Sequence, residues 1–123
     1  MSFHALGLRK RILDAIDDAG YSKATPIQAK TIPAILEGKD LIGLAQTGTG
    51  KTAAFTLPLL SELAQKTHEL STRGTRVLII APTRELVAQI NESIRTYGKY
   101  TNLRTAIVIG GASERHQIEK LQS

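Results

Sequence analysis

Apolar residues recur three and four positions apart in several segments of the chain, which is the spacing of one face of an α-helix. Thr25 and Thr83 stand where helix N-caps belong, and Gly20 and Gly98 stand where helices commonly end. The pattern therefore predicts helices over residues 8–19, 26–36, 51–65, 84–97 and from about 113 onward.

Three short and almost wholly apolar segments lie between these helices, over residues 41–45, 77–81 and 105–109. Strands that alternate with helices indicate βαβ units, and strands apolar on both sides are typical of a parallel sheet covered on both faces. The sequence therefore predicts an α/β fold. Residues 66–76 between the third helix and the second strand are expected to form a polar loop.

Composition narrows the class of protein. The chain has 123 residues, enough for one small core, with 41% hydrophobic and 22% charged residues, as in soluble globular domains. It has no cysteine, no signal-peptide pattern and no apolar run near the roughly 20 residues that span a bilayer. We therefore expect a cytoplasmic protein with no membrane partner. The net charge of +5 permits a polyanionic partner but does not require one.

For several histidine and aspartate residues the sequence predicts no catalytic or metal-binding role. His4, His68 and His116 lack the spacing of metal ligands and are expected to be ordinary surface or core residues. Asp17 and Asp18 are expected to be solvated on the outer face of the first helix.

The strongest chemical signal is a glycine-rich segment at the junction of the first strand and the third helix. It runs Ala45, Gln46, Thr47, Gly48, Thr49, Gly50, Lys51, Thr52. Glycines let backbone N–H groups curl round an anion, and a helix N-terminus favours phosphate. Lys51 can reach β- and γ-phosphates, and the Thr52 hydroxyl can bind Mg²⁺. The segment predicts a purine-nucleoside triphosphate site; the alternative is a glycine-rich turn in an ordinary α/β unit.

Four motifs together resemble the DEAD-box ATP-dependent RNA helicases. Residues 20–28, with Phe3 seventeen positions before Gly20, resemble the family's Q motif, and residues 45–52 its motif I, in which alanine is the usual first residue. Residues 82–87 resemble motif Ia, with Val87 where alanine is usual, and Gly110–Gly111 resembles the glycine doublet. The opening of the chain looks bacterial. The implied fold is the RecA-like fold of P-loop NTPases.

The resemblance implies ATP and Mg²⁺ as cofactors. Gln28 would read adenine through its amide, and Phe3 and Lys23 would contact the base. The residues also have simpler interpretations. Thr25 and Gln28 together form a capping-box pattern that competes for the Gln28 side chain, and an isolated phenylalanine such as Phe3 is more often a core residue.

The resemblance also implies an RNA surface. Pro82, Thr83, Arg84 and the main chain of Gly111 would lie near the sugar-phosphate backbone, so binding would not depend on sequence. From the residues alone, Thr83 could simply cap a helix and Arg84 could be a solvated charge.

The resemblance covers residues 1–123 as the N-terminal portion of the first RecA-like domain. The family's Asp-Glu-Ala-Asp, Ser-Ala-Thr and Thr-Pro-Gly-Arg motifs do not occur in the sequence, so the parallel sheet is expected to be incomplete. The expected function is the ATP-binding part of an RNA helicase that is inactive as this chain alone. The alternatives are another P-loop phosphotransferase and a truncated module that only binds nucleotide or RNA.

Overall fold

The computed structural model describes residues 1–46, 48, 50–65 and 74–122, and its regular elements there are helices. A 3-10 turn at Phe3–Ala5 precedes five α-helices. They are α1 at Lys10–Asp18, α2 at Pro26–Leu36, α3 at Lys51–Gln65, α4 at Arg84–Tyr97 and α5 at Glu114–Gln122. Each predicted helix is confirmed to within about two residues at its ends. None of the helices in these ranges is long and apolar enough to cross a bilayer.

The predicted N-caps of α2 and α4 are formed by threonine side chains. The Thr25 Oγ1 accepts a hydrogen bond from the Gln28 backbone N–H at 3.4 Å, and the Thr83 Oγ1 accepts one from Leu86 N–H at 3.1 Å. Each bond satisfies one of the backbone donors that a helix start leaves unpaired. Local sequence therefore sets where these two helices begin.

The hydrophobic core is built round α3, which packs against α1, α2 and α4. Its buried members come from the N-terminal turn and from the inward faces of the first three helices: Phe3, Leu6, Leu8, Ile12, Ile16, Ile32, Leu57 and Leu60. Ile94 and Tyr97 of α4 pack against the edge of this cluster. This packing fixes the N-terminus of α3, where the predicted phosphate loop lies.

The three predicted strands are not paired into a sheet. Within the described residues the sole bridge is an isolated antiparallel one between Ser2 and Lys23. Along 77–81 and 105–109 partly buried residues alternate with exposed ones, so these segments have the side-chain alternation of strands without the hydrogen-bonded ladder. Ile80 is 85% exposed, and Ile42 and Leu44 of the first segment are about as exposed, at 90% and 89%. The first segment is exposed over residues 41–44, whereas the other two are half-buried along one face.

The C-terminal end of α1 is tied to two neighbouring segments. Asp17 accepts a bond from His4 Nε2 at 3.2 Å, and Asp18 accepts one from the Tyr100 hydroxyl and pairs with Lys99 Nζ at 3.1 Å. The hydrogen bonds from Tyr100 and Lys99 lower the pKa of Asp18. Both aspartates are exposed, as expected, but each has a partner, which their position on the helix could not reveal.

Some predictions fall on residues outside the described ranges. These are Thr47 and Thr49 of the phosphate loop and residues 66–73 of the polar loop, which include His68. His116 lies on the exposed surface of α5.

Candidate functional site

The predicted phosphate loop leads directly into the N-terminus of α3. Gly48 and Gly50 have φ angles of +87° and +85°, which residues with a Cβ rarely adopt. A Cβ built on Gly48 would meet no atom within 4 Å, so the loop is open on that side. These two conformations are what a loop needs if its amides are to face an anion. The described part of the loop therefore has the glycine conformations that the predicted phosphate site calls for, and phosphate binding stays a prediction.

Lys51 and Thr52 occupy the first turn of α3. Lys51 is exposed, and Thr52 is partly buried. The Thr52 carbonyl accepts a hydrogen bond from Thr56 Oγ1 at 2.8 Å, which ties the first turn to the next. The positive end of the helix dipole lies at this turn, so a phosphate group would meet both the dipole and the lysine ammonium.

Gln28 joins α2 to this loop. Its Oε1 accepts a hydrogen bond from the Thr25 backbone N–H at 2.9 Å, which completes the capping box. Its Nε2 donates to the Gly50 carbonyl at 3.2 Å. The side chain is 6% exposed. The capping-box interpretation is confirmed, and the same amide holds the end of the phosphate loop.

The Gly50 position has a second reason to be glycine. A Cβ there would fall on the Gln28 Nε2 and lie 3.1 Å from both the Gln28 Cδ and the Thr25 Oγ1. From the sequence, phosphate access was the one reason predicted for this glycine. The approach of Gln28 is a tertiary contact across 22 residues, and only the capping-box spacing of Thr25 and Gln28 hinted that the amide was fixed.

The predicted RNA residues form a second group on the surface. Pro82, Thr83 and Arg84 are exposed at the start of α4, and Gly111 is exposed in the turn before α5. The Arg84 Nη2 donates a hydrogen bond to the Gly110 carbonyl. Two motifs that are 26 residues apart in the sequence are therefore joined in the structure.

Comparison with protein families shows the family to which a chain with these two groups belongs. The family model described as DEAD/DEAH box helicase matches residues 25–123. The chain belongs to this family. The match includes the Gln28, phosphate-loop, motif Ia and glycine-doublet segments in one alignment.

Curated relatives come from bacteria. The chain is 48% identical over 122 residues to the ATP-dependent RNA helicase CshA of Limosilactobacillus reuteri, covering 99% of this chain and 24% of the relative. It is 46% identical over 118 residues to the DEAD-box ATP-dependent RNA helicase RhpA of Helicobacter pylori, covering 96% of this chain and 23% of the relative. The chain thus spans about a quarter of the length of these relatives.

Solved structures confirm the fold class. A DEAD box protein from Methanococcus jannaschii superposes with a TM-score of 0.84 at 35% identity, covering 99% of this chain and 32% of that one. The RNA helicase Prp28 from Chaetomium thermophilum, bound to ADP, gives a TM-score of 0.85 at 41% identity, covering 98% of this chain and 30% of that one. The predicted RecA-like fold of P-loop NTPases is confirmed, and this chain holds an incomplete version of it.

Phe3 and Lys23 lie on neighbouring segments but in different surroundings. Ser2 bridges to Lys23, and the Ala24 N–H donates to the Met1 carbonyl at 2.9 Å, so the N-terminus runs beside the Q motif. The Phe3 ring is only 4% exposed and belongs to the core, whereas Lys23 is exposed. The burial of Phe3 supports a packing role, and its contact with a nucleotide base stays a prediction.

Metal ligands are sparse in this part of the molecule. Among the described residues, no group of three or more histidine, aspartate and glutamate side chains could hold a metal ion. The role of Thr52 as a magnesium ligand stays a prediction.

Proposed function

We propose that this chain is the ATP-binding N-terminal portion of the first RecA-like domain of a DEAD-box RNA helicase. In the whole protein, binding and hydrolysis of ATP would drive local separation of paired RNA strands. The observation that carries this proposal is the hydrogen bond from Gln28 Nε2 to the Gly50 carbonyl, because it joins the base-reading segment to the phosphate loop. The relatives described above are named as ATP-dependent RNA helicases, which supports it.

The capping box and adenine recognition are compatible at Gln28. A primary amide has two acceptor lone pairs and two donor hydrogens, and the contacts with Thr25 and Gly50 use one of each. The remaining lone pair can accept from adenine N6, and the remaining hydrogen can donate to N7. Guanine presents O6 in place of the N6 amino group, so the fixed amide would favour ATP over GTP.

In the first turn of α3, Lys51 would place its ammonium against the β- and γ-phosphates. Thr52 would offer its hydroxyl to Mg²⁺, which when bound neutralises charge on those phosphates. The loop amides and the helix N-terminus would hold the phosphates in place. These groups bind and orient ATP; hydrolysis also needs an acidic group and an attacking water, which we assign to parts of the whole protein beyond these residues.

RNA would lie across Pro82, Thr83, Arg84 and Gly111. Contacts from these residues would go to phosphate and sugar groups, so binding would not depend on the base sequence. The exposure of all four residues and the net charge of +5 favour such a surface. We place this activity in the cytoplasm, in line with the absence of cysteine from the sequence.

The nucleotide part of the proposal is tested by titrating the whole protein with ATP and with GTP in a calorimeter. The unchanged protein should bind ATP more tightly, and Q28A should lose that preference, since the Gln28 amide is the group that we propose distinguishes the bases. K51A should weaken both nucleotides equally. Equal binding of ATP and GTP by the unchanged protein would refute the proposal.

The 123-residue chain by itself should bind ATP weakly and should not release phosphate. Purified chain is incubated with ATP and Mg²⁺, with and without single-stranded RNA, and phosphate is measured. RNA-stimulated release from the chain alone would contradict the assignment of the hydrolytic groups to the rest of the protein.

A further inference from the structure

The Arg84 side chain lies against the backbone of the glycine doublet. Its Nη2 donates to the Gly110 carbonyl, and its Cζ and Nη1 lie 3.5 Å and 3.8 Å from the position that a Cβ on Gly111 would take. The Nη2 itself would overlap that Cβ. The guanidinium therefore occupies space that is open only because residue 111 has no side chain.

We propose that the backbone of Gly110 and Gly111 is a seat that orients the Arg84 guanidinium before RNA binds. The consequence for RNA rests on the proposed function, in which Arg84 contacts a phosphate. A guanidinium has five N–H donors, so the bond to one carbonyl leaves others for a phosphate. A side chain that is already held loses less conformational freedom on binding, which favours affinity. Gly111 is thus a positioning residue that acts through Arg84.

Variants of two other glycines serve as controls. They separate the loss of the Arg84 contact in G111A from backbone strain and from the mere addition of a methyl group. Gly111 has a φ of +81°, so any side chain there is strained; Gly38 has the same φ, and a Cβ on it would meet nothing within 4 Å. G38A therefore reports backbone strain alone. A Cβ on Gly110 would likewise meet nothing within 4 Å. G110A therefore adds a methyl group to the turn without entering the seat.

The seat is tested first in the 123-residue chain without RNA, by NMR of arginine side-chain Nε–H groups. In the unchanged chain, the Arg84 signal should be more ordered than that of Arg95, an exposed residue of the same helix. G111A should shift the Arg84 signal and bring its order down to that of Arg95, while G110A and G38A should leave it unchanged. Equal mobility of Arg84 and Arg95 in the unchanged chain would overturn the proposal, even if G111A did not fold.

The consequence for RNA is tested in the whole protein with a fluorescent single-stranded RNA. R84A should weaken binding roughly tenfold, since bonds to charged groups are among the stronger ones, and should reduce the salt dependence by about one phosphate contact. G111A should give a similar loss, and the double variant R84A/G111A should be no weaker than R84A within twofold. G38A should bind as the unchanged protein does.

The two readouts separate failure of the seat from failure of the RNA assignment. If the losses from R84A and G111A multiply in the double variant, Gly111 does not act through Arg84, and the seat is refuted. If R84A leaves RNA affinity unchanged while Arg84 is ordered in the NMR experiment, the seat stands and the assignment of Arg84 to RNA falls.

Discussion

At the scale of single residues, the Gln28 side chain makes two hydrogen bonds that join two parts of the candidate site. It completes the cap of α2 through Thr25 and holds the Gly50 carbonyl at the start of α3. A buried amide with both ends paired costs little, whereas its loss leaves the partly buried Thr25 N–H and Gly50 carbonyl without this partner.

Replacing Gln28 by alanine should therefore destabilise the chain more than replacing Thr25. Q28A should lower the free energy of unfolding by about 1–3 kcal/mol, and T25A by about 0.5–2 kcal/mol, because T25A removes only the cap. Urea denaturation of the two variants measures both values. Equal losses would show that the contact with Gly50 contributes nothing to stability.

Tyr100 and Lys99 together lower the pKa of Asp18. The hydrogen bond from the Tyr100 hydroxyl is the largest single cause, and Lys99 acts through both a hydrogen bond and its charge. A lowered pKa means that the folded state favours the ionised form, so the stabilisation is present above the usual value of 3.8 and is lost as the pH falls through the folded value. Y100F and K99M should therefore each move the pKa of Asp18 back up.

Both shifts are checked by NMR titration of the Asp18 carboxyl carbon in the unchanged chain and the two variants. An Asp18 pKa that does not move in Y100F would exclude the hydroxyl as its cause. Because the pair is exposed, the global stability of the variants should change little.

At the scale of elements, α3 organises the fold. It contacts α1, α2 and α4, while the unpaired segments at 41–45, 77–81 and 105–109 lie outside the core cluster and carry exposed apolar side chains. Leu57 of α3 is 1% exposed and Leu44 of the first segment is 89% exposed. The same type of residue therefore has opposite surroundings in the two elements.

L57A should cost about 2–5 kcal/mol of unfolding free energy, because it leaves a cavity in the core. L44A removes the same atoms from a side chain that is already in water, so we expect a change within about 0.5 kcal/mol. Denaturant unfolding of the two variants makes the comparison. A large loss in L44A would mean that the first segment is covered in solution.

At the scale of the whole molecule, the exposed apolar surface of the three segments is the feature most expected to make copies of the chain associate. Its most exposed members are Ile42, Leu44, Leu78 and Ile80, each at least 78% exposed. None of the three segments carries a charged residue or a proline, the usual means of protecting a strand that has no neighbour. We therefore expect copies of this chain to associate through these segments.

The triple variant I42T/L78T/I80T should reduce that association, since threonine keeps strand propensity but lowers apolar exposure. Sedimentation velocity over a range of concentrations measures it. The control is I118Q/L121Q, which removes two exposed apolar residues of α5 and should leave association unchanged. Identical sedimentation of the triple variant and the unchanged chain would contradict the expectation.

The helices and the phosphate loop follow from sequence because their causes are local. Apolar spacing predicted the five helices, Thr25 and Thr83 marked two of their starts, and glycines at 48 and 50 marked the loop. The motifs also indicated the family, because each one is a short run of residues that can be recognised in the sequence without knowledge of tertiary contacts. The RecA-like fold class followed from the same runs.

Tertiary structure alone decided which distant groups meet. The bond from Gln28 to Gly50, the Arg84 guanidinium over Gly111 and the burial of Phe3 depend on how α2, α4 and the N-terminus pack, and spacing along the chain does not encode such distances. The predicted strands also depend partly on sequence and partly on tertiary structure. Their sequence specifies extended apolar segments, but a ladder needs neighbouring strands to pair with, and pairing is a property of the assembled sheet.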